Sequence, residues 1–261
     1  MDEGTFDTFR TVIAFGLTLL LVMLRLDAQR FGAAEYDEPT GGRLPPIWRR
    51  LAWYVIGIGG VVAILWVHPA PGAELFLSPG DGGLLLGFVL ASAGVAGAVG
   101  IAWWRYHHVR LPDVAAYPGA IVNEIATAFV DEAVFRGALL GFVMLAGVDT
   151  NVAILAQAFA YTLATRLGAP GRNRAMFLLS LVIGLVAGWA TILTGGIAAS
   201  FLGHAVTRVA VFLTTGHAGQ PAPRGTELEE IERRRRAPDG WRIVAGRDAS
   251  RETGREAGRE R

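Results

Sequence analysis

The chain of 261 residues contains no cysteine and no lysine. Without cysteine there is no disulfide, no thiol nucleophile and no thiolate-held metal. Without lysine there is neither a Schiff-base amine nor a P-loop ammonium. All 24 basic residues are arginine, and only five histidines occur: His68, His107, His108, His204 and His217. The set of groups able to titrate near neutrality is therefore small. Charge is also scarce, at 18% of residues against 52% hydrophobic, with a mean hydropathy of +0.40. That balance points to a polytopic membrane protein whose first partner is a lipid bilayer, not nucleic acid. The net charge of +1 hides an asymmetry, because arginine is concentrated after residue 216.

The apolar runs predict an all-α bundle of seven membrane-spanning helices, near 6–26, 51–67, 83–104, 118–147, 151–167, 175–193 and 197–215. The first is expected to be a retained helix, because it begins Met1-Asp2-Glu3 and leads into Arg25 and Arg30, unlike a signal peptide. Three parts are expected: N-terminal helices and loops over 1–115, a core of four spans over 116–215, and a disordered Arg/Glu-rich tail over 216–261. Arginine lies in 27–50, 105–113, 166–174 and the tail, but not in 69–82, 148–150 or 194–196. Arginine-rich loops belong in the cytoplasm, so the alternation predicts a multi-pass cell-membrane protein with its N-terminus outside and its tail cytoplasmic. Gly87, Gly94, Gly97 and Gly100 in the third span suit close helix approach, as does the Gly184/Gly188 pair in the sixth.

The fourth span is too long for a straight crossing. At ~1.5 Å per residue it reaches roughly 43 Å against ~30 Å of hydrocarbon. It must tilt, protrude or bend, with Gly137 and Gly141 as candidate weak points. It also carries Glu124, Asp131, Glu132 and Arg136. Glu132 and Arg136 are four apart and can pair on one helix face, and Glu124 shares a stripe with Asp131 and Glu132. On the seventh span His204 and Arg208 are likewise four apart. Ionisable groups at membrane depth are costly and face a bundle interior or wet cavity. The two stripes are expected to face each other around a polar cavity, enclosed by the fourth to seventh helices. Plain alternatives stand beside this. Glu132–Arg136 could be a structural ion pair, His204 a hydrogen-bonded core residue, and Glu124 a snorkelling interfacial charge.

Asp131-Glu132-Ala133-Val134-Phe135-Arg136-Gly137 resembles the first motif of the CPBP intramembrane endopeptidases, which include the type II CAAX prenyl proteases and abortive-infection proteins. That motif reads Glu-Glu-x-x-x-Arg, and Asp131 replaces its first Glu. The third motif, His followed four residues later by Asn, resembles His204 with Arg208 in place of Asn. The second motif, Phe-x-x-x-His, falls on Tyr161 to Thr165, with Thr165 in place of His. The resemblance covers about 118–215. It implies hydrolysis of a peptide bond in a membrane-associated peptide or protein, prenylated or not, by carboxylate-activated water. In that assignment Asp131 is the base, Glu132 and Arg136 hold the helix face, His204 and Arg208 face the oxyanion, and Glu124, Thr165 and Thr207 line the substrate. No cofactor is expected. Asp131, Glu132 and His204 could supply three ligands to the zinc sometimes invoked for the family, but no histidine-rich spacing supports a metal. A non-catalytic scaffold binding a partner in the same site is the alternative, and an ion- or proton-linked transporter the third.

Overall fold

The computed structural model describes residues 3–31, 47–106, 108–112, 118–167, 174–215 and 241–246. Each of the seven expected spans coincides with a long helical segment: α1 (Glu3–Leu26), α3 (Ile47–Val67), α5 (Gly83–Tyr106), the continuous run from α6 (Pro118–Asp131) to α7 (Leu140–Leu145), α8 (Thr150–Leu167), α9 (Arg174–Thr194) and α10 (Ala198–Thr215). Short helices α2 (Ala28–Phe31) and α4 (Pro71–Glu74) lie in the connections. Four helices are long and apolar enough to cross a bilayer: Glu3–Leu26, Trp48–Val67, Gly83–Trp103 and Phe177–Thr194. Ala198–Thr214 is apolar but shorter.

The long fourth segment changes helix type along its length. Between α6 and α7 the chain forms a π-helix, Glu132–Leu139, beginning at the acidic motif. A π-helical stretch is a costly local form, and it concentrates at functional sites. Gly137 and Gly141 instead let the connection after α3 approach. A Cβ at Gly137 would meet Leu75 O at 3.3 Å, and one at Gly141 would meet Leu75 Cα at 2.6 Å.

The helices pack through small residues. A Cβ at Gly87 would lie 3.0 Å from Leu202 Cβ, one at Gly203 would lie 2.7 Å from Leu90 Cβ, and one at Gly94 would overlap Thr207, so α5 and α10 run in close contact. Gly97 and Gly100 face open space and take no part. Gly184 of α9 lies against Ala158 of α8, with Gly188 against Gln157. Gln157 Nε2 donates to Gly184 O at 2.8 Å, a helix-to-helix bond suited to an apolar medium.

The arginine-free connections gather at one end. Ser78 Oγ donates to Gly195 O at 3.1 Å, Asp81 N to Thr194 O at 2.6 Å and Ile197 N to Ser78 O at 3.0 Å. Gly80 sits at φ +72° with a Cβ position that would collide with Thr194 O, so only glycine fits. Arg10 Nε donates to Val67 O at 2.7 Å, bringing the start of α1 to this end as well.

One ribbon departs from the helical fold: β1 (His108–Pro112) pairs antiparallel with β2 (Trp241–Gly246), with a register shift between Val109 and Arg110. Residues 241–246 thus form a strand within the expected tail. The remainder of the tail lies outside the described residues.

Candidate active site

The polar groups of the fourth and seventh segments meet as three ion pairs. Glu132 and Arg136 are both fully buried, with Nη1 and Oε1 3.2 Å apart. The π-helical turn keeps them adjacent, as the four-residue spacing predicted. The approach lacks hydrogen-bond alignment, so Arg136 Nε, Nη1 and Nη2 have no hydrogen-bond partner among the described residues. The guanidinium instead lies 3.9 Å from the centroid of the Tyr161 ring, a cation–π contact from α8.

His204 Nδ1 approaches Glu132 Oε1 at 2.6 Å. The two residues are separated by 72 positions, and His204 is 5% exposed. On the other side of the ring, Nε2 is 3.3 Å from Tyr161 OH. A carboxylate on one imidazole nitrogen fixes ring orientation and which nitrogen carries the proton. His204 is therefore an oriented, buried member of a Glu132–His204–Tyr161 chain, with a contact on each ring nitrogen.

Glu124 does not snorkel. It is 1% exposed, accepts from Arg208 Nε at 2.7 Å, and is approached by Asn123 Nδ2 at 3.2 Å. Asn123 Oδ1 in turn accepts from Tyr54 OH on α3. Arg208 has its Nε committed to Glu124, and it lies within electrostatic range of Asp131 and Tyr161. The two expected stripes thus do face each other, joined by Glu132–His204 and Glu124–Arg208.

Asp131 turns elsewhere. Its Oδ1 accepts from Arg25 Nε on α1 at 2.7 Å, with both side chains buried. Its Oδ2 has no hydrogen-bond partner among the described residues. The enclosure by the fourth to seventh helices alone is thus corrected: α1 and α3 contribute Arg25 and Tyr54. Arg25 closes the first apolar run, and nothing beside it in the chain points to Asp131. Tyr54 carried no signal beyond aromatic composition, whereas Tyr161 stands at the aromatic position of the second motif.

Two threonines behave differently. Thr207 Oγ1 donates to Gly203 O at 2.6 Å and occupies the α5–α10 seam against Gly94, not the carboxylate cluster. Thr165 is 2% exposed and its hydroxyl lacks a hydrogen-bond partner among the described residues. Buried Thr18, Thr162, Thr191, Thr194 and Thr214 all donate to the carbonyl four residues earlier. Thr165 is set apart by a free hydroxyl at the position where the resemblance expects histidine.

The donor set does not fit a metal. Glu132 and His204 are engaged with each other, Asp131 Oδ1 is held by a guanidinium, and no group of three His, Asp or Glu among the described residues is arranged for an ion. An apolar groove of about 450 Å³ lies elsewhere, between α5 and α10, lined by Phe88, Val95, Leu202 and Val206.

Long apolar helices around a buried cluster of paired charges define a polytopic helical membrane protein. A family model described as "Type II CAAX prenyl endopeptidase Rce1-like" matches residues 113–210, which contain all three motif positions. Over this segment the chain is similar to the Rce1-like type II CAAX prenyl endopeptidases. No curated protein and no solved structure is matched by the chain.

Proposed function

We propose that the protein is an intramembrane endopeptidase of the CAAX-processing type, acting on a membrane-associated peptide, with its N-terminus outside the cell membrane and its tail in the cytoplasm. The observation that carries this reading is the 2.6 Å contact between Glu132 of the first motif and His204 of the third, beside an Asp131 Oδ2 with no hydrogen-bond partner among the described residues.

In this reading a water accepts a hydrogen bond from the Thr165 hydroxyl and gives a proton to Asp131 Oδ2. The hydroxide oxygen bonds to the peptide carbonyl carbon while the carbonyl electron pair moves onto oxygen. His204, oriented by Glu132, and the Nη groups of Arg136 and Arg208 supply donors to that oxyanion. Collapse restores the carbonyl and breaks the C–N bond, and the proton held by Asp131 passes to the leaving nitrogen. The carboxylate is then regenerated.

A second reading, a non-catalytic member that binds a partner segment in the same site, is favoured by two observations. Arg25 engages Asp131 Oδ1, and Thr165 cannot accept a proton at neutral pH as a histidine would. Purified protein in lipid, given prenylated and unprenylated peptides, is expected to cleave one of them, and Asp131→Ala to abolish cleavage. A folded sample that turns over neither peptide leaves the partner-binding reading standing.

A further inference from the structure

The acidic motif is gripped from outside the segment matched by the family. Arg25 lies in the last turn of α1, 106 residues before Asp131. An arginine at a helix end ordinarily stretches its stem along hydrocarbon to bring its head to water. This one turns inward and is 1% exposed. The helix end that carries it is pinned, because Trp53 Nε1 donates to Leu24 O at 3.1 Å. The grip is one-sided. Arg25 Nη1 and Nη2 and Asp131 Oδ2 have no hydrogen-bond partner among the described residues, although guanidinium and carboxylate can make two parallel bonds. One carboxylate oxygen is held and the other is left over.

We propose that Arg25 is a positioning residue for Asp131: it fixes the rotation of the carboxylate and presents Oδ2 to the reacting water. This rests on the reading of Asp131 as the base. α1 then belongs to the working site, which the family match over residues 113–210 does not include. A guanidinium has no lone pair to offer a proton, so Arg25 orients the base without replacing the histidine absent at Thr165.

The test uses dicyclohexylcarbodiimide on the full-length protein in lipid, across pH. The reagent partitions into hydrocarbon and takes its proton from a carboxylic acid. The resulting carboxylate adds to the central carbon as an O-acylisourea, which rearranges to a stable N-acylurea read by peptide mass spectrometry. A carboxylate held by a guanidinium does not start this sequence. Asp131 is expected to stay unlabelled at neutral pH in the natural protein and to label in Arg25→Met. Loss of the counter-charge is expected to raise labelling of Asp131 at fixed pH by about tenfold. Arg25→Lys keeps the charge and should restore protection, and Glu124, paired with Arg208, is an internal reference that does not change.

Equal labelling of Asp131 in Arg25→Met and the natural protein overturns the proposal. If Arg25→Met does not fold, labelling of Asp131 at neutral pH in the natural protein or in Arg25→Lys overturns it as well. Labelling needs no turnover, so protection without any peptide cleavage would keep the grip of Arg25 and remove the hydrolase reading. Where cleavage occurs, Arg25→Met lowers kcat with KM unchanged, and a rise in KM at constant kcat contradicts the proposal.

Discussion

Glu132→Gln should be among the most destabilising single substitutions in the protein. Glu132 and Arg136 are both fully buried and 3.2 Å apart, so the amide leaves a guanidinium in an apolar interior without its counter-charge. Breaking a buried pair from one side costs about 3–5 kcal/mol. The remaining contact, Arg136 over the Tyr161 ring at 3.9 Å, returns roughly 0.5–2 kcal/mol of attraction that is already present in the natural protein. The reverse substitution is not symmetric. In Arg136→Met the Glu132 carboxylate keeps its contact with His204 Nδ1 at 2.6 Å, so it is not left without a polar partner. Arg136→Met should therefore cost less than Glu132→Gln, and the double variant less than the sum of the two singles. For a chain of this size each kcal/mol moves a thermal midpoint by about 2–4 °C, so Glu132→Gln lowers it by roughly 6–20 °C. Thermal unfolding in lipid or detergent, followed by tryptophan fluorescence for all three variants, measures the order. Equal losses in the two singles, or additive effects in the double, would refute the reasoning.

The helix seam gives a second prediction. A Cβ at Gly94 would overlap Thr207 Oγ1 and lie 2.9 Å from Thr207 Cβ, and that hydroxyl is tied to Gly203 O. Gly94→Ala should destabilise by about 1–3 kcal/mol, and adding Thr207→Ala should recover most of it in the same unfolding measurement. A third concerns acid. His68, outside the spans and 1% exposed, has its pKa lowered from 6.5 by burial first, with Arg10 adding to the fall and Glu74, 3.6 Å away, opposing it. The unfolded chain then takes up the proton before the folded one. The contribution of His68 is complete above about pH 6.5 and is lost as pH falls below that value toward the lower folded pKa. Amide exchange of the connection after α3 should accelerate in that window, and His68→Gln should remove the pH dependence.

The bundle was legible because long apolar runs and arginine placement are properties of consecutive residues. Glu132–Arg136 was legible for the same reason, since a four-residue spacing brings two side chains together in an α-helix and still does so in the π-helical turn. The turn itself was not, because no local composition distinguishes Glu132–Leu139 from an α-helix. Its glycines were read as points of weakness, whereas they admit the backbone near Leu75. Arg25 and Tyr161 escaped because their roles exist only across helices. Nothing near Arg25 in the chain announces a partner 106 residues away. Thr207 shares the polar stripe of α10 by number, but a neighbouring glycine on α5 decides where its hydroxyl goes. Strand β2 was hidden by its surroundings: Trp241-Arg242-Ile243-Val244 is a short β-prone stretch inside a charged tail, too brief to shift the composition.

The most direct test of the catalytic account is single-turnover cleavage of a lipid-embedded peptide by the natural protein and by Thr165→His. Thr165 is buried with a free hydroxyl where the family has a histidine. A proton acceptor placed there supplies the assistance that Asp131 lacks, and a well-placed acid–base partner contributes about 10²–10⁴ in rate. The account predicts slow cleavage by the natural protein and a rate gain in that range for Thr165→His, both lost with Asp131→Ala. Folded samples of both that leave the peptide intact, or a gain that survives Asp131→Ala, would contradict it.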